Sequence, residues 1–245
     1  MSQEIKFRKL EVKDVDASFH LQEVVSANLD DDKKLFILPK TKKQMEGYIQ
    51  KEGMAFGCFI GDTLVSHIYF AFLDEDGSVS TQIDWLDKNP GFLEARRNTA
   101  MPKAAETHPL WRGHGFMSQL LDYAFAEIQK YGRDELITDI AFFNEDSISV
   151  FMKKNFRMVA VDHPEDDIEL GIFYRDMNYK KVTKVVTDHL EIIDMFDYDG
   201  VSKAIDNGYY PTFMTKNKEY KLMSSATISE KRGTSARNFQ SLSVA

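Results

Sequence analysis

The alternation of apolar and polar residues indicates which elements begin the chain. Residues 4–12 alternate one by one, which is the period of a strand with one buried face. After Asp14, a residue type that caps helices, apolar residues recur on one helical face. Thr41 and Gln44 have the spacing of a capping box at the start of another helix. We therefore predict a strand followed by two helices.

The next apolar segments predict a β-hairpin and a further strand. Residues 54–60 and 63–73 lie on either side of Gly61-Asp62, a pair that is typical of hairpin turns. Residues 99–107 then favour a strand that leads into a glycine-containing loop. These segments are apolar enough to form the interior of a sheet.

The clearest helical pattern begins after that loop, and Gly132 ends it. Its apolar residues share one face: Phe116, Met117, Leu120, Leu121, Ala124, Phe125 and Ile128. Residues 135–143 predict a buried strand. For the short helix that follows, Asp146 or Ser147 is the predicted cap.

The character of the chain changes at residue 178. Before it, the apolar segments 156–161 and 168–177 are predicted to pair as antiparallel strands, which completes a domain over residues 1–177. Residues 178–223 form an extension that we expect to pack on this domain. The extension could complete the sheet, cover a substrate site or form a homodimer contact. Residues 224–245 contain few large apolar side chains, so we expect a flexible tail.

Composition narrows the class of protein. The formal net charge of −8 argues against broad binding to nucleic-acid phosphates. The single cysteine, Cys58, excludes an internal disulfide and favours a reducing, cytoplasmic compartment. The chain contains no run of about 18 apolar residues, so we predict no membrane span. We also predict no metal site.

The stretch HPLWRGHGFMSQLL, residues 108–121, places two glycines and an arginine where the clearest helix begins. Gly113 and Gly115 have no Cβ atom, so an anion could approach the backbone N–H groups closely. The unpaired amides and the dipole of a helix start attract negative charge, and Arg112 adds guanidinium donors. A tight connection between strand and helix is the alternative. The spacing matches neither a P-loop nor the dinucleotide fingerprint.

This stretch resembles the pyrophosphate loop of the GNAT superfamily, the acyl-CoA-dependent N-acetyltransferases. The loop of that family reads Q/R-x-x-G-x-G/A and follows a strand that ends in V-x-P. Thr107 and Pro109 stand in the places of V and P. Arg112 and Gly115 take the first and fourth positions of the loop. Met117 stands at the sixth position, where the family has Gly or Ala.

A second block, NEDSISVFMKKNF, is similar to the family pattern N-x-x-A-x-x-x-Y-x-x-x-G-F. Asn144 has the position of the asparagine that contacts pantetheine in the family, and Phe156 that of the final phenylalanine. Asn155 replaces the glycine at the helix end, which is a mild change because Asn also adopts the left-handed conformation. Phe151 replaces the tyrosine that is proposed to protonate the CoA thiolate.

The resemblance covers residues 4–177. It implies an α/β (α+β) chain with the GNAT fold, a central mixed and mostly antiparallel sheet flanked by helices, here with a C-terminal extension. It also implies acetyl-CoA as the cosubstrate and an amine as the acceptor, with Thr107 beside the cofactor. The residues that it implies for the rest of the cofactor site are Arg112, Gly113, His114, Gly115, Phe116, Met117, Asn144 and Phe151.

Two carboxylates are candidates for the base that removes a proton from the amine. Asp139 is the first, because many relatives carry an inward-facing glutamate five residues before the asparagine, and an acid in an apolar strand needs a partner or a purpose. Glu106 is the second, on the strand before the loop. For Asp139 the alternative is an edge carboxylate paired with a lysine or arginine. Phe151 has no acidic proton, so either the thiolate leaves without an acid or a tyrosine from another segment substitutes: Tyr174, Tyr209 or Tyr210.

The leading hypothesis is therefore an N-acetyltransferase that transfers an acetyl group from acetyl-CoA to a primary amine of a small molecule or a protein. A longer-chain acyltransferase is an alternative within the enzymes. A catalytically silent acyl-CoA-binding module is the alternative from another class, and it is motivated by Phe151 and by the extension.

Overall fold

The computed structural model describes most of the chain: residues 4–36, 38–74, 83–89, 92–93, 96–163, 168–178, 192–215 and 217–224. The chain divides into two compact units. The first unit contains residues 1–82 and 93–136, and the second contains residues 83–92 and 137–245.

Six helices and ten strands are found within the described residues. The helices are α1 (Val15–Ala27), α2 (Lys42–Gly47), α3 (Asp84–Lys88), α4 (Phe116–Gln129), α5 (Glu145–Lys153) and α6 (Tyr198–Asp206). The strands are β1 (Ile5–Lys9), β2 (Gly53–Ile60), β3 (Thr63–Phe72), β4 (Thr99–Thr107), β5 (Glu135–Ala141), β6 (Arg157–Asp162), β7 (Leu170–Asp176), β8 (Ile192–Asp194), β9 (Tyr209–Met214) and β10 (Glu219–Ser224). The strand predicted at 135–143 thus ends two residues earlier.

Seven of the strands form one sheet, in the order β1-β2-β3-β4-β5-β7-β6. The pairs β1–β2, β2–β3, β3–β4 and β6–β7 are antiparallel, and β4–β5 is parallel. Strand β5 begins in the first unit and ends in the second. The expectation of a mixed, mostly antiparallel sheet flanked by helices is confirmed.

The core of the first unit is built around the hairpin of β2 and β3. Both strands are buried along almost their whole length, and α1 and α4 both contact β3. Alternate residues of a strand point to opposite faces, so burial of successive residues requires cover on both faces. The predicted apolar stripe of α4 supplies part of this cover, since Leu120, Leu121 and Ile128 are fully buried.

The first two helices begin in different ways. At α2 the predicted capping box is present: Gln44 N–H donates to Thr41 Oγ1 at 3.2 Å, and Thr41 N–H donates to Gln44 Oε1 at 2.9 Å. At α1, Asp14 has the N-cap position but makes no capping hydrogen bond. Its carboxylate instead accepts two hydrogen bonds of 2.7 Å from the guanidinium of Arg8. This ion pair connects β1 to the start of α1.

The described part of the extension forms a sheet of its own. Strands β8, β10 and β9 are antiparallel neighbours in that order, so this part does not complete the seven-stranded sheet. It packs within the second unit, where the buried ring of Phe142 meets Tyr198 and Tyr220 edge-on. Lys218 Nζ donates to Glu145 Oε1 at 2.7 Å. Residues 179–191, and all of the predicted tail except Ser224, lie outside the described residues.

Two kinds of feature were not found in the part of the chain that the structure describes. None of its helices is both long and apolar enough to cross a membrane. No group of three or more His, Cys, Asp and Glu side chains is placed to hold a metal ion.

Candidate acyl-CoA site

Strand β4 contains a β-bulge in its pairing with β3. Tyr69 pairs with Ala104 and Phe70 pairs with Pro102, so the register shifts by one residue at Lys103. The parallel pairing of β4 with β5 covers Thr99 and Ala100 at the start of the strand. Further along, Ala105 is exposed although β4 lies inside the sheet. Bulges bend a strand and redirect its groups, and they are frequent beside active sites. The second half of β4 therefore presents an accessible segment in the first unit.

The loop after β4 exposes its backbone. Gly113 and Gly115 have φ angles of 78° and 75°, in the left-handed region that favours glycine. Residues 112–115 are all exposed, and a Cβ atom at Gly113 would meet no atom within 4 Å. Gly115 is the N-cap of α4 and has no side chain to cap the first helical amides. The loop can therefore accept an anion at close range, as the glycine pattern predicts.

Neighbouring side chains hold the loop in shape. Arg112 Nε donates to the carbonyl oxygen of Thr107 at 3.4 Å, which joins the loop to the end of β4. The ring of Trp111 lies 5.8 Å from that of His114 and 6.1 Å from that of Phe116, and the last two rings are nearly parallel. Phe116 is buried as the first residue of α4, and Met117 is half-buried in the same turn. These contacts order the loop and leave residues 112–115 accessible.

In the second unit, Asn144 is the N-cap of α5. Its Oδ1 accepts a hydrogen bond of 3.2 Å from the backbone N–H of Ser147. The predicted caps Asp146 and Ser147 are therefore wrong, and both residues lie within α5. All three residue types can cap a helix, and Asn144 is the one that stands where the chain enters the helix. The prediction for the other end is confirmed, since Asn155 is left-handed with a φ of 64°.

The position of the expected acid holds a buried ring without a polar group. Phe151 is 5% exposed, and its ring meets that of Phe156 edge-on at 5.0 Å. Of the tyrosines that could replace it, Tyr174 is buried on β7 and Tyr209 is half-buried on β9. Burial raises the pKa of Tyr210, also on β9, while Arg157 acts in the opposite direction. None of the three stands out as the acid.

The two candidate bases lie in different surroundings. Asp139 is half-buried on β5, in the second unit. Glu106 lies on β4 in the first unit and is only 6% exposed. Its carboxylate lies beside a histidine of the neighbouring strand β3. His67 is its register partner on β3 and is fully buried, with Nε2 3.4 Å from Oε2 of Glu106. Buried carboxylates need a compensating partner, and Glu106 has one.

His67 connects Glu106 to two hydroxyl groups. Its Nδ1 lies 2.7 Å from Oγ of Ser18 on α1, and the hydroxyl of Tyr69 donates to the same Oγ at 2.6 Å. All three side chains are completely buried. We name this set of residues, Tyr69, Ser18, His67 and Glu106, the buried polar chain. The buried polar chain was not predicted from the sequence, where its one local sign is a histidine inside an apolar strand.

Comparison with known proteins supports the fold. The ribosomal-protein-S18-alanine N-acetyltransferase of Escherichia coli superposes with a TM-score of 0.52 at 13% identity, covering 74% of this chain and 99% of that one. An acetyltransferase of the GNAT family from Streptococcus pneumoniae gives 0.52 at 16% identity, covering 71% and 99%. YncA of Salmonella typhimurium, in a structure with its cofactor acetyl-CoA, gives 0.53 at 13% identity, covering 74% and 98%. No protein-family model and no curated protein matches the chain.

The chain therefore has the fold of the GNAT acetyltransferases. At these identities the likeness concerns the fold, and function has to be argued from the site.

Proposed function

We propose that the protein is an N-acetyltransferase that transfers the acetyl group of acetyl-CoA to a primary amine of a small molecule or a protein. The observation that carries this proposal is the loop from Arg112 to Gly115, whose exposed, left-handed glycines precede α4 on a GNAT fold. Exposed amides at the start of a helix are a common binding site for anions such as a diphosphate.

The residues of the loop fit the diphosphate of CoA. The amides of Gly113 and Gly115 and those of the first turn of α4 would donate hydrogen bonds to it, and Arg112 would add charge-assisted ones. His114, Phe116 and Met117 would border the diphosphate. Thr107 would lie beside the pantetheine on β4. For Asn144 and Phe151, a contact with the cofactor is what the resemblance to the family implies.

The chemistry requires a neutral amine, so the chain must accept a proton. We assign this role to Glu106, because it is almost completely buried on β4 beside His67, its register partner on β3. The amine nitrogen forms a bond to the acetyl carbon, the bond from carbon to sulfur breaks, and CoA leaves as a thiolate. The second proton of the attacking nitrogen then passes to that thiolate or to solvent. A thiol has a pKa of about 8.5, so its thiolate can leave without the proton that Phe151 cannot supply. Asp139 is the second candidate base.

The test of the activity is release of free thiol from acetyl-CoA with a panel of primary amines, including polyamines, amino acids and lysine peptides. We expect thiol release that depends on one class of amine, together with a product heavier by one acetyl group. If CoA raises the melting temperature of the protein and no amine releases thiol, the alternative hypothesis of a catalytically silent acyl-CoA-binding module is supported instead. If octanoyl-CoA is used better than acetyl-CoA, it is a longer-chain acyltransferase.

The test of the base compares Glu106→Gln with Asp139→Asn in the same assay. Loss of a general base costs about 10²- to 10⁴-fold in rate, and we expect this loss in kcat for Glu106→Gln only. Binding of CoA, measured by calorimetry, should be unchanged in both variants. A large loss of kcat confined to Asp139→Asn would move the role to Asp139.

A further inference from the structure

We propose that His67 is a positioning residue for Glu106: its Nε2–H holds the carboxylate in place, and Ser18 and Tyr69 in turn hold the imidazole. This inference rests on the proposed function, because it assigns a task to the base of that reaction. It concerns residues of the first unit only.

The hydrogen bonds of the buried polar chain begin at the hydroxyl of Tyr69, which is a donor. Burial raises the pKa of Tyr69 to about 12, so its hydroxyl keeps its proton at neutral pH. That hydroxyl donates to Ser18 Oγ at 2.6 Å, and in the proposed arrangement the proton of Ser18 belongs to its 2.7 Å contact with Nδ1 of His67. A neutral imidazole that accepts a hydrogen bond at Nδ1 carries its own proton on Nε2. The buried polar chain therefore ends in an N–H group that faces Glu106.

The meeting point of His67 and Glu106 shows why this proton matters. His67 Nε2 and Glu106 Oε2 are both buried, and neither has a hydrogen-bond partner among the described residues. They lie 3.4 Å apart, slightly beyond the ordinary hydrogen-bond distance, and in the proposed arrangement they approach to form this hydrogen bond. A carboxylate oxygen left without a donor at this depth would be costly.

The geometry of the elements makes the arrangement rigid. Antiparallel pairing of β3 with β4 makes His67 and Glu106 direct neighbours on adjacent strands. Tyr69 follows two residues later on the same face of β3, and its ring meets the imidazole edge-on at 5.2 Å. A base held in one orientation can meet the amine without reorganising, which is the usual benefit of a preorganised site.

The first experiment tests the tautomer without any need for activity. Protein labelled with ¹⁵N-histidine is examined at neutral pH by long-range ¹H–¹⁵N correlation, and the signals of His67 are assigned from those that vanish in His67→Gln. We expect a neutral ring with its proton on Nε2. A proton on Nδ1, or on both nitrogens, would overturn the inference.

The second experiment measures kcat with the amine that the thiol assay identifies. Tyr69→Phe removes the first hydroxyl of the chain, and we expect kcat to fall about tenfold, the effect of one lost positioning hydrogen bond. Tyr48→Phe is the matched control, because Tyr48 is a buried neighbour whose ring lies 6.1 Å from that of Tyr69 and whose hydroxyl is not part of the chain. Affinity for CoA should be equal in both variants.

Substitution of His67 separates positioning from packing. His67→Leu removes the donor, and we expect a loss of about 10²-fold in kcat. His67→Gln keeps an N–H donor of similar reach, so we expect it to recover most of that loss. Equal losses for Leu and Gln, or an unchanged kcat in Tyr69→Phe, would overturn the inference. Absence of turnover in the wild-type protein would overturn the proposed function instead, and the tautomer would still be measured.

Discussion

Gly113 and Gly61 have the same left-handed backbone conformation but lie in different loops. Their φ angles are 78° and 59°, and a Cβ atom at either position would meet nothing within 4 Å. Alanine at each position should therefore destabilise the protein by a similar amount, about 1 kcal/mol, for the left-handed conformation alone. Gly61 lies in the turn between β2 and β3, outside the proposed diphosphate loop.

We predict that Gly113→Ala weakens CoA binding at least about tenfold, because its methyl group occupies space that a phosphate would enter. Gly61→Ala should leave the affinity unchanged. Calorimetric titration with CoA measures the affinity, and chemical denaturation checks that the two variants are equally destabilised. Equal affinities in the two variants would contradict the assignment of the loop.

At the scale of elements, Asn144 and Asp197 perform the same structural task on two helices. Asn144 Oδ1 caps α5 through the amide of Ser147, and Asp197 Oδ1 caps α6 through the amide of Gly200 at 2.9 Å. Removal of either cap should cost about 1 kcal/mol of stability. Only Asn144 has the position that would also contact pantetheine.

We therefore predict that Asn144→Ala and Asp197→Ala lower the free energy of unfolding alike, while only Asn144→Ala weakens CoA binding. Urea denaturation gives the first quantity, and calorimetry gives the second. If both variants bind CoA as the wild type does, Asn144 is a helix cap and does not belong to the cofactor site.

The connection between β1 and α1 should make stability depend on pH. The two hydrogen bonds from the Arg8 guanidinium hold the pKa of Asp14 below its ordinary value. A carboxyl whose pKa is lower in the folded state stabilises the protein above its unfolded-state pKa of about 3.9. That contribution disappears as the pH falls through the lower value of the folded state.

We predict that Arg8→Gln lowers the free energy of unfolding by about 1–3 kcal/mol at neutral pH, and that the difference from the wild type shrinks below pH about 4. Arg8 also lies 4.0 Å from the ring of Phe59, and loss of that contact is independent of pH. Lys13→Gln is the control, because Lys13 and Glu11 form an ion pair exposed to solvent. Denaturation at several pH values measures both, and a constant difference for Arg8→Gln would contradict the prediction.

At the scale of the whole molecule, the rate at which Cys58 is alkylated measures how often the first unit unfolds far enough to expose β2. It is completely buried on β2, and burial raises the pKa of its thiol to about 11. The reactive thiolate is therefore scarce at neutral pH, and alkylation requires exposure of the strand. The proposed diphosphate loop belongs to the same unit, so a ligand bound there should keep the unit closed.

We predict that acetyl-CoA at about 100 times its dissociation constant slows alkylation of Cys58 about 100-fold, which corresponds to about 2.7 kcal/mol of stabilisation. Mass spectrometry follows the modification over time. The same concentration of acetyl-CoA should protect Gly113→Ala much less. An unchanged rate in the wild-type protein would show that the ligand does not stabilise the unit that holds Cys58.

How much was predictable depends on how local each feature is. The hairpin, β4 and the apolar face of α4 were predicted from short periods of apolar residues, because burial on a strand or a helix leaves such a period. The start of α5 was not, since Asn144, Asp146 and Ser147 are all good caps and the choice depends on where β5 ends. The separate sheet of the extension depends on the pairing of β8 with β10, which local patterns do not encode.

The amino-acid sequence by itself determined the glycine loop and, apart from α3, the order of the helices and strands from β1 to β7, because both follow from residues that are neighbours along the chain. Only the tertiary structure decided what surrounds the proposed base. His67 is 49 residues from Ser18, and the three side chains of His67, Ser18 and Glu106 meet only through sheet register and the packing of α1. The bulge at Lys103 likewise exists only as a mismatch between β3 and β4. Contacts of this kind depend on how distant segments pair, and a pattern within one segment carries no record of its partner.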